Sequence, residues 1–168
     1  EMQRAHAAEL NHFSFRHRRA DGSIRHVESF CGPIDIGDRR LLYSIVHDVT
    51  ERHKAEAELR KLSMAIEQSP ESIVITSLDA TIEYVNAAFV KATGYQRDEV
   101  IGQNPKILHS GQTPKEEHAA LWAALSKGQT WKGEFINRRK DGSDYVEFAV
   151  ISPVFDTDGQ VTHYVAVK

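Results

Sequence analysis

The chain has 168 residues, 40% hydrophobic and 27% charged, with a formal net charge of −3. That balance gives no electrostatic reason to expect nucleic acid or an anionic membrane as partner, and the longest apolar run is far below the roughly 20 residues that span a bilayer. The single cysteine, Cys31, excludes an internal disulfide framework, so a reducing cytoplasm is the expected compartment.

Residues 1–10, rich in Ala, Glu, His and Leu, read as a helix end. Phe13-Ser14-Phe15 alternates at strand period. Asp21-Gly22 supplies the positive φ of a hairpin turn, and Ile24 to Ile34 forms the next strand, on which Cys31 is expected to be buried. Gly37 to Arg40 is a second turn and Leu41 to Val46 a third strand. Asp48 or Thr50 caps a helix by accepting from its free N–H groups. From Glu51 to Ile66 there is no Gly or Pro, and Ala55, Leu59, Leu62 and Ile66 step by four, three and four. So narrow a stripe faces another helix in a parallel dimer, or else packs on its own domain.

Pro70 closes that helix. Ser72 to Ser77 and Thr81 to Val85 are strands around Leu78-Asp79-Ala80. Short helices follow over Asn86 to Thr93 and Arg97 to Ile101. Gln103 to Thr113 is a loop with room for one helical turn. Pro114 suits the first helical position, and Lys115 to Ser126 is amphipathic, ending at Gly128. Three strands close the chain: Trp131 to Arg139, Asp144 to Pro153 and Val161 to Val167. The expected fold class is α+β, a five-stranded antiparallel sheet with helices on one side. A connecting helix and a three-stranded partial copy precede it.

That last statement rests on an internal repeat. Arg18-Arg19-Ala20-Asp21-Gly22-Ser23 returns 120 residues later (141 − 21 = 120) as Arg138-Arg139-Lys140-Asp141-Gly142-Ser143. Pro33-Ile34 matches Pro153-Val154, and Ser44-Ile45-Val46 is set against Tyr164-Val165-Ala166. Fixed self-similarity implies two copies of one unit, the first lacking its front: residues 1–50, a linker helix over 51–66, and a whole copy over 67–168.

The order of elements, with Ile82-Glu83-Tyr84-Val85-Asn86-Ala87-Ala88-Phe89, Thr93-Gly94-Tyr95, Asp98 to Asn104 and Asn137 to Ser143, resembles a PAS domain. Residues 66–168 match almost whole. Residues 1–50 resemble the back half of another, ending in Asp48-Val49-Thr50-Glu51-Arg52. The resemblance implies a sensor module of a bacterial signalling protein, joined through its helix to an output domain in the same chain, such as a histidine kinase or cyclic-dinucleotide enzyme of a two-component or related system. A homodimer through the PAS copies and the linker helix is the expected partner arrangement.

Leu121-Trp122, Trp131-Lys132-Gly133 and Asn137-Arg138-Arg139-Lys140-Asp141 are similar to the flavin-binding PAS subgroup of redox regulators. By that resemblance Trp122 and Asn137 contact the ring of FAD, with Asn104 in the neighbouring loop as a further cofactor-binding candidate. The chemistry suits them: an amide carries a donor and an acceptor, and an indole offers a flat face plus one N–H. Trp122 as helix core, Asn137 as a strand-end residue bonding its turn, and an empty cofactor-free interaction module are the plainer alternatives. Trp131 is read as packing. At Pro105, light-sensing LOV domains carry the cysteine that bonds flavin; proline has no thiol, so adduct chemistry is excluded there. Haem ligated by His118, on the same helix face as Trp122, is another alternative, although Glu116-Glu117 suggests a wet face. His109 is expected to face solvent. No phosphate loop, nucleophile elbow, zinc-type cluster or kinase signature is present, so no enzymatic role is expected for these residues.

Overall fold

The computed structural model describes residues 11–168; the expected helix end at residues 1–10 lies outside them. Two compact units divide between Leu62 and Ser63. The first holds a three-stranded antiparallel sheet, β1 (Asn11–Arg18), β2 (Ile24–Ile36) and β3 (Arg39–Asp48), in that order. Helix α1 (Thr50–Glu67) follows. Its cap is Asp48, whose Oδ1 accepts from the Thr50 N–H at 3.0 Å. The Thr50 hydroxyl instead accepts from the His26 N–H at 2.9 Å.

The second unit is the α+β body: β4 (Ile73–Thr76), β5 (Ile82–Val85), α2 (Ala87–Thr93), α3 (Arg97–Val100), a 3-10 turn (Pro105–Leu108), α4 (Lys115–Leu125), β6 (Trp131–Arg138), β7 (Asp144–Phe155) and β8 (Val161–Val167). Its five-stranded sheet runs β5-β4-β8-β7-β6, every pair antiparallel. Side chains alternate along each strand, so Trp131, Phe135 and Asn137 of β6 and Ala149 of β7 turn inward while Lys132, Glu134, Val146 and Phe148 face out. Two apolar clusters fill that inner face. One joins Val74, Ile82, Val85, Phe89, Val100 and Leu108; the other joins α4, through Leu121 and Leu125, to Trp131, Phe135 and Ala149. Pro114 stands one place earlier than expected, as the residue preceding α4 rather than its first helical residue.

The two Asp-Gly turns have one geometry. Arg19 N–H donates to Ser23 O at 2.8 Å and Gly22 N–H to Arg19 O at 3.0 Å; Arg139–Ser143 and Gly142–Arg139 repeat both bonds at 2.8 and 3.0 Å. Gly22 and Gly142 sit at φ +83° and +89°, where a Cβ would be strained. The strand ladders correct one alignment. Cys31 pairs with Ser44, and Ile151, 120 residues beyond Cys31, pairs with Ala166. Ser44-Ile45-Val46 therefore stands opposite Ala166-Val167-Lys168, two residues later than the sequence match suggests, because the β7–β8 connection is longer than the β2–β3 turn.

Cys31 also differs from expectation. It is half-buried rather than enclosed. Its Sγ lies 3.3 Å from Ser29 Oγ and 3.1 Å from Ser44 Oγ, and these hydroxyls, Ser29 first, draw its thiol below the usual range.

Candidate functional site

Between α4, the 3-10 turn and the inner face of the five-stranded sheet lies a cavity of about 180 Å³. Its wall is mostly apolar, from Val74, Ile82, Phe89, Leu121, Phe135 and Ile151. A cavity of this kind takes an apolar ligand oriented by a few polar groups. Two attachments hold the wall in place. Ile82 N–H donates to Gln103 O and Gly102 N–H to Ile82 O, both at 2.8 Å, tying the loop after α3 to the sheet edge. Ser110 and Thr113 hydroxyls donate to Ile136 O, tying the loop before α4 to β6.

The three candidates from the sequence, Trp122, Asn137 and Asn104, all border this cavity. Trp122 is 46% exposed. It sits at the mouth, edge-on to Tyr164 with ring centroids 6.1 Å apart, while Leu121 and Leu125 form the helix core. Reading Trp122 as core is thus overturned: on the helix its ring points one step away from the buried row. Trp131 is the packing indole. It is buried and lies over Gly133, where a methyl group would come within 2.3 Å of the ring. Asn104 caps the 3-10 turn, its Oδ1 accepting from Lys106 N–H at 3.0 Å, which leaves its amide donors free for the cavity.

Asn137 is 4% exposed. Its Nδ2 donates to Glu147 Oε1 at 2.5 Å. A carboxylate can only accept, so the amide orientation follows from its neighbour: Oδ1 and the second N–H remain for a ligand. It does not serve as a bond to the adjacent turn. The same Glu147 oxygen accepts from Lys168 Nζ at 2.7 Å, and both side chains are nearly enclosed, 11% and 8% exposed. The Tyr145 hydroxyl is shut off from solvent beside Asn137 and Glu147, behind the cavity wall; burial and then the Glu147 charge push it well above the usual phenol range. The Asn137 carbonyl, together with donors on Asn137, Asn104 and Lys168 along the wall, fits the mixed acceptor and donor edge of a flavin pyrimidine.

One histidine departs from the wet face its neighbours suggest, and the other does not. His118 is half-buried and borders the cavity, its ring 5.5 Å from Phe135 and 4.6 Å from His109. The helix turns it away from its acidic neighbours. His109 is exposed, as expected, and it also borders the cavity and bridges to Asn137 through the backbone. Desolvation, then the charges of His118, Lys106 and Lys168, hold its imidazole below the usual range. Pro105 lines the same wall.

Sequence reasoning missed Glu147, Tyr145 and Lys168. Their signal was parity: Tyr145, Glu147, Ala149 and Ile151 share one face of β7, and Tyr164, Ala166 and Lys168 follow one another at strand period into the same hollow. Charged residues at inward positions of a strand are rare enough to flag.

Residues 1–51 and 70–167 match the family model described as PAS domain, so the chain belongs to the PAS domain family, a family of sensory modules in signalling proteins. It is 39% identical over 103 residues to a nitrogen fixation regulatory protein of Klebsiella oxytoca, covering 61% of this chain and 21% of that protein. Over 118 residues it is 36% identical to a bacterioopsin transcriptional activator of Halobacterium salinarum, 67% of this chain and 17% of the other. The chain therefore spans about a fifth of these relatives. Among solved structures, a PAS domain from Colwellia psychrerythraea shares the fold, with TM-score 0.61 and 22% identity over 66% of this chain and 93% of that one. A light-oxygen-voltage domain, studied with a flavin analogue, superposes with TM-score 0.58 and 27% identity over 64% and 82%. The fold of the second unit is thus that of a PAS domain.

Proposed function

We propose that the chain is a sensory segment of a cytoplasmic signalling protein in which two PAS copies flank a linker helix, and that the second copy holds FAD as a redox or oxygen sensor. The observation that carries this reading is the joint position of Trp122, Asn137 and Asn104 around one mostly apolar cavity. Likeness to a nitrogen fixation regulator and to a light-oxygen-voltage domain described with a flavin analogue supports it. The repeated turn geometry supports the tandem organisation. The bound flavin supplies reversible electron uptake. The chain's own part is to orient it through Asn137, cover it with the Trp122 indole, and pass the altered fit through the sheet to α1 and an output domain in the longer protein. No catalytic role is assigned to these residues.

Reduction adds a proton at flavin N5 and turns an acceptor into a donor, so an amide facing it would rotate; the bond from Asn137 to Glu147 opposes that rotation. Rotating the Asn137 amide would turn Oδ1 toward the Glu147 carboxylate, so a signal that needs the rotation must also move Glu147. The test is the colour of the purified protein. A yellow protein whose flavin retention falls in Trp122→Ala and Asn137→Ala bears the reading out; because Trp122 is exposed, its variant should melt within about 4 °C of the parent. Two variants as yellow as the parent refute those assignments.

Haem is the second reading, favoured by His118 on the cavity wall with His109 beside it. A Soret band lost in His118→Ala, with no flavin spectrum, would select it.

A further inference from the structure

The buried pair of Lys168 and Glu147 is more than the fold requires. Enclosing two charges costs several kcal/mol of lost hydration per ion, and an apolar pair of similar size is often as stable. The chain contains its own comparison. With the ladder-corrected repeat, the first copy has Val27 where the second has Glu147, and Val46 where the second has Lys168. Asn137 is matched by His17. The turn and the three strands are built both times, yet the charged cluster is built once, and it stands where the cavity is. Lys168 borders that cavity directly, whereas Glu147 lies behind it. Glu147 Oε1 receives both Lys168 Nζ and Asn137 Nδ2. One carboxylate thus aims two donor-bearing groups at the hollow.

We infer that Lys168 is a further ligand-binding residue, presenting a charged donor beside the Asn137 carbonyl, and that Glu147 is the positioning residue that holds both. The site then takes a flat heterocycle with an acceptor at one edge that becomes more negative when its signal arrives. This rests on the flavin reading and deepens it. Reduction of a flavin by two electrons with uptake of one proton adds one negative charge, and no bond to the protein forms or breaks. A cation at the cavity wall favours that charge; an unbalanced anion opposes it. Because the Lys168 and Glu147 side chains are nearly enclosed, the interaction is weakly screened.

The sign separates this from a purely structural role. Lys168→Met leaves the Glu147 charge unbalanced, and Glu147→Gln leaves the Lys168 charge unbalanced, so the two changes should move the flavin in opposite directions. The experiment reconstitutes parent and variants with FAD and titrates them with dithionite against a reference dye. Lys168→Met is expected to shift the reduction potential to more negative values and Glu147→Gln to more positive ones. Lys168→Gln, which keeps a donor without charge, is read with the same expected sign as Lys168→Met where the latter does not fold. Shifts in the same direction, or none in proteins that remain yellow, overturn the inference while leaving the flavin reading standing. A folded parent that takes up no FAD overturns the flavin reading itself, and this inference with it.

Discussion

Asn86 shows how much one side chain can hold. It is fully buried. Its Oδ1 accepts from Phe89 N–H at 3.1 Å, capping α2, and from Ile73 N–H at 3.0 Å on β4. Its Nδ2 donates to Ile66 O at 3.1 Å, near the end of α1, and to Glu71 O at 2.8 Å. Losing a helix cap costs about 1 kcal/mol, and each buried group left unpaired costs about 1–3 more. Asn86→Ala should therefore lower the stability of the second unit by about 3 kcal/mol or more, read by urea unfolding. A loss under about 1 kcal/mol would mean that water or a shifted backbone replaces these bonds. The expected helix began at Asn86 itself, whereas the residue stands one place before α2 as its cap. The other three bonds were not legible in the sequence, because their partners lie 13 to 20 residues away.

At the scale of elements, a clasp fastens the end of α1. Glu67 Oε2 accepts from the Tyr84 hydroxyl of β5 at 2.7 Å, and its carboxylate pairs with Arg97 of α3 at 2.8 and 2.9 Å. The hydrogen bond from Tyr84, then Arg97, draws the Glu67 carboxyl below its ordinary range. A lowered acid binds fewer protons folded than unfolded, so its stabilisation is present at neutral pH and is lost as pH falls through the carboxylate range. Burial, then Glu67, pushes Tyr84 up to about 12. The sign reverses for a raised group: its stabilisation is present below the ordinary phenol value of about 10 and disappears as pH rises through about 12. Glu67→Gln should flatten both limbs of the melting temperature against pH. Limbs as steep as the parent's in that variant would assign the pH dependence to other groups. Element order and strand period were plain in the residues themselves, and the α1 boundary differs from the expected one by a single residue at each end. What spacing could not supply was the clasp, since its three members come from three separate elements.

For the whole molecule, α1 leaves its stripe open. Leu59, Leu62 and Ile66 are exposed, at 68%, 52% and 38%. Apolar rows at three and four spacing are covered when two such helices pair, which makes a parallel dimer through α1 the proposed assembly. Light scattering should give twice the chain mass for the parent and the single mass for the Leu59→Glu, Leu62→Glu double variant, with unchanged circular dichroism. A parent of single mass at micromolar concentration, or a double variant that still pairs, would place the contact elsewhere.

The residues by themselves determined the α+β class, the repeated Asp-Gly hairpin, the order of the strands and the meeting of Trp122 and Asn137 on one hollow. All of these follow from local periodicity, turn chemistry and family pattern. Three matters were decided only in three dimensions: that Trp122 stands at the mouth rather than in the core, that the last strand is offset by two residues, and that Glu147 joins Asn137 to Lys168. The reason is physical. Alternation says which face a strand residue takes, but the ladder register says whom it meets, and a buried charge is tolerable only once its partner from another strand has arrived.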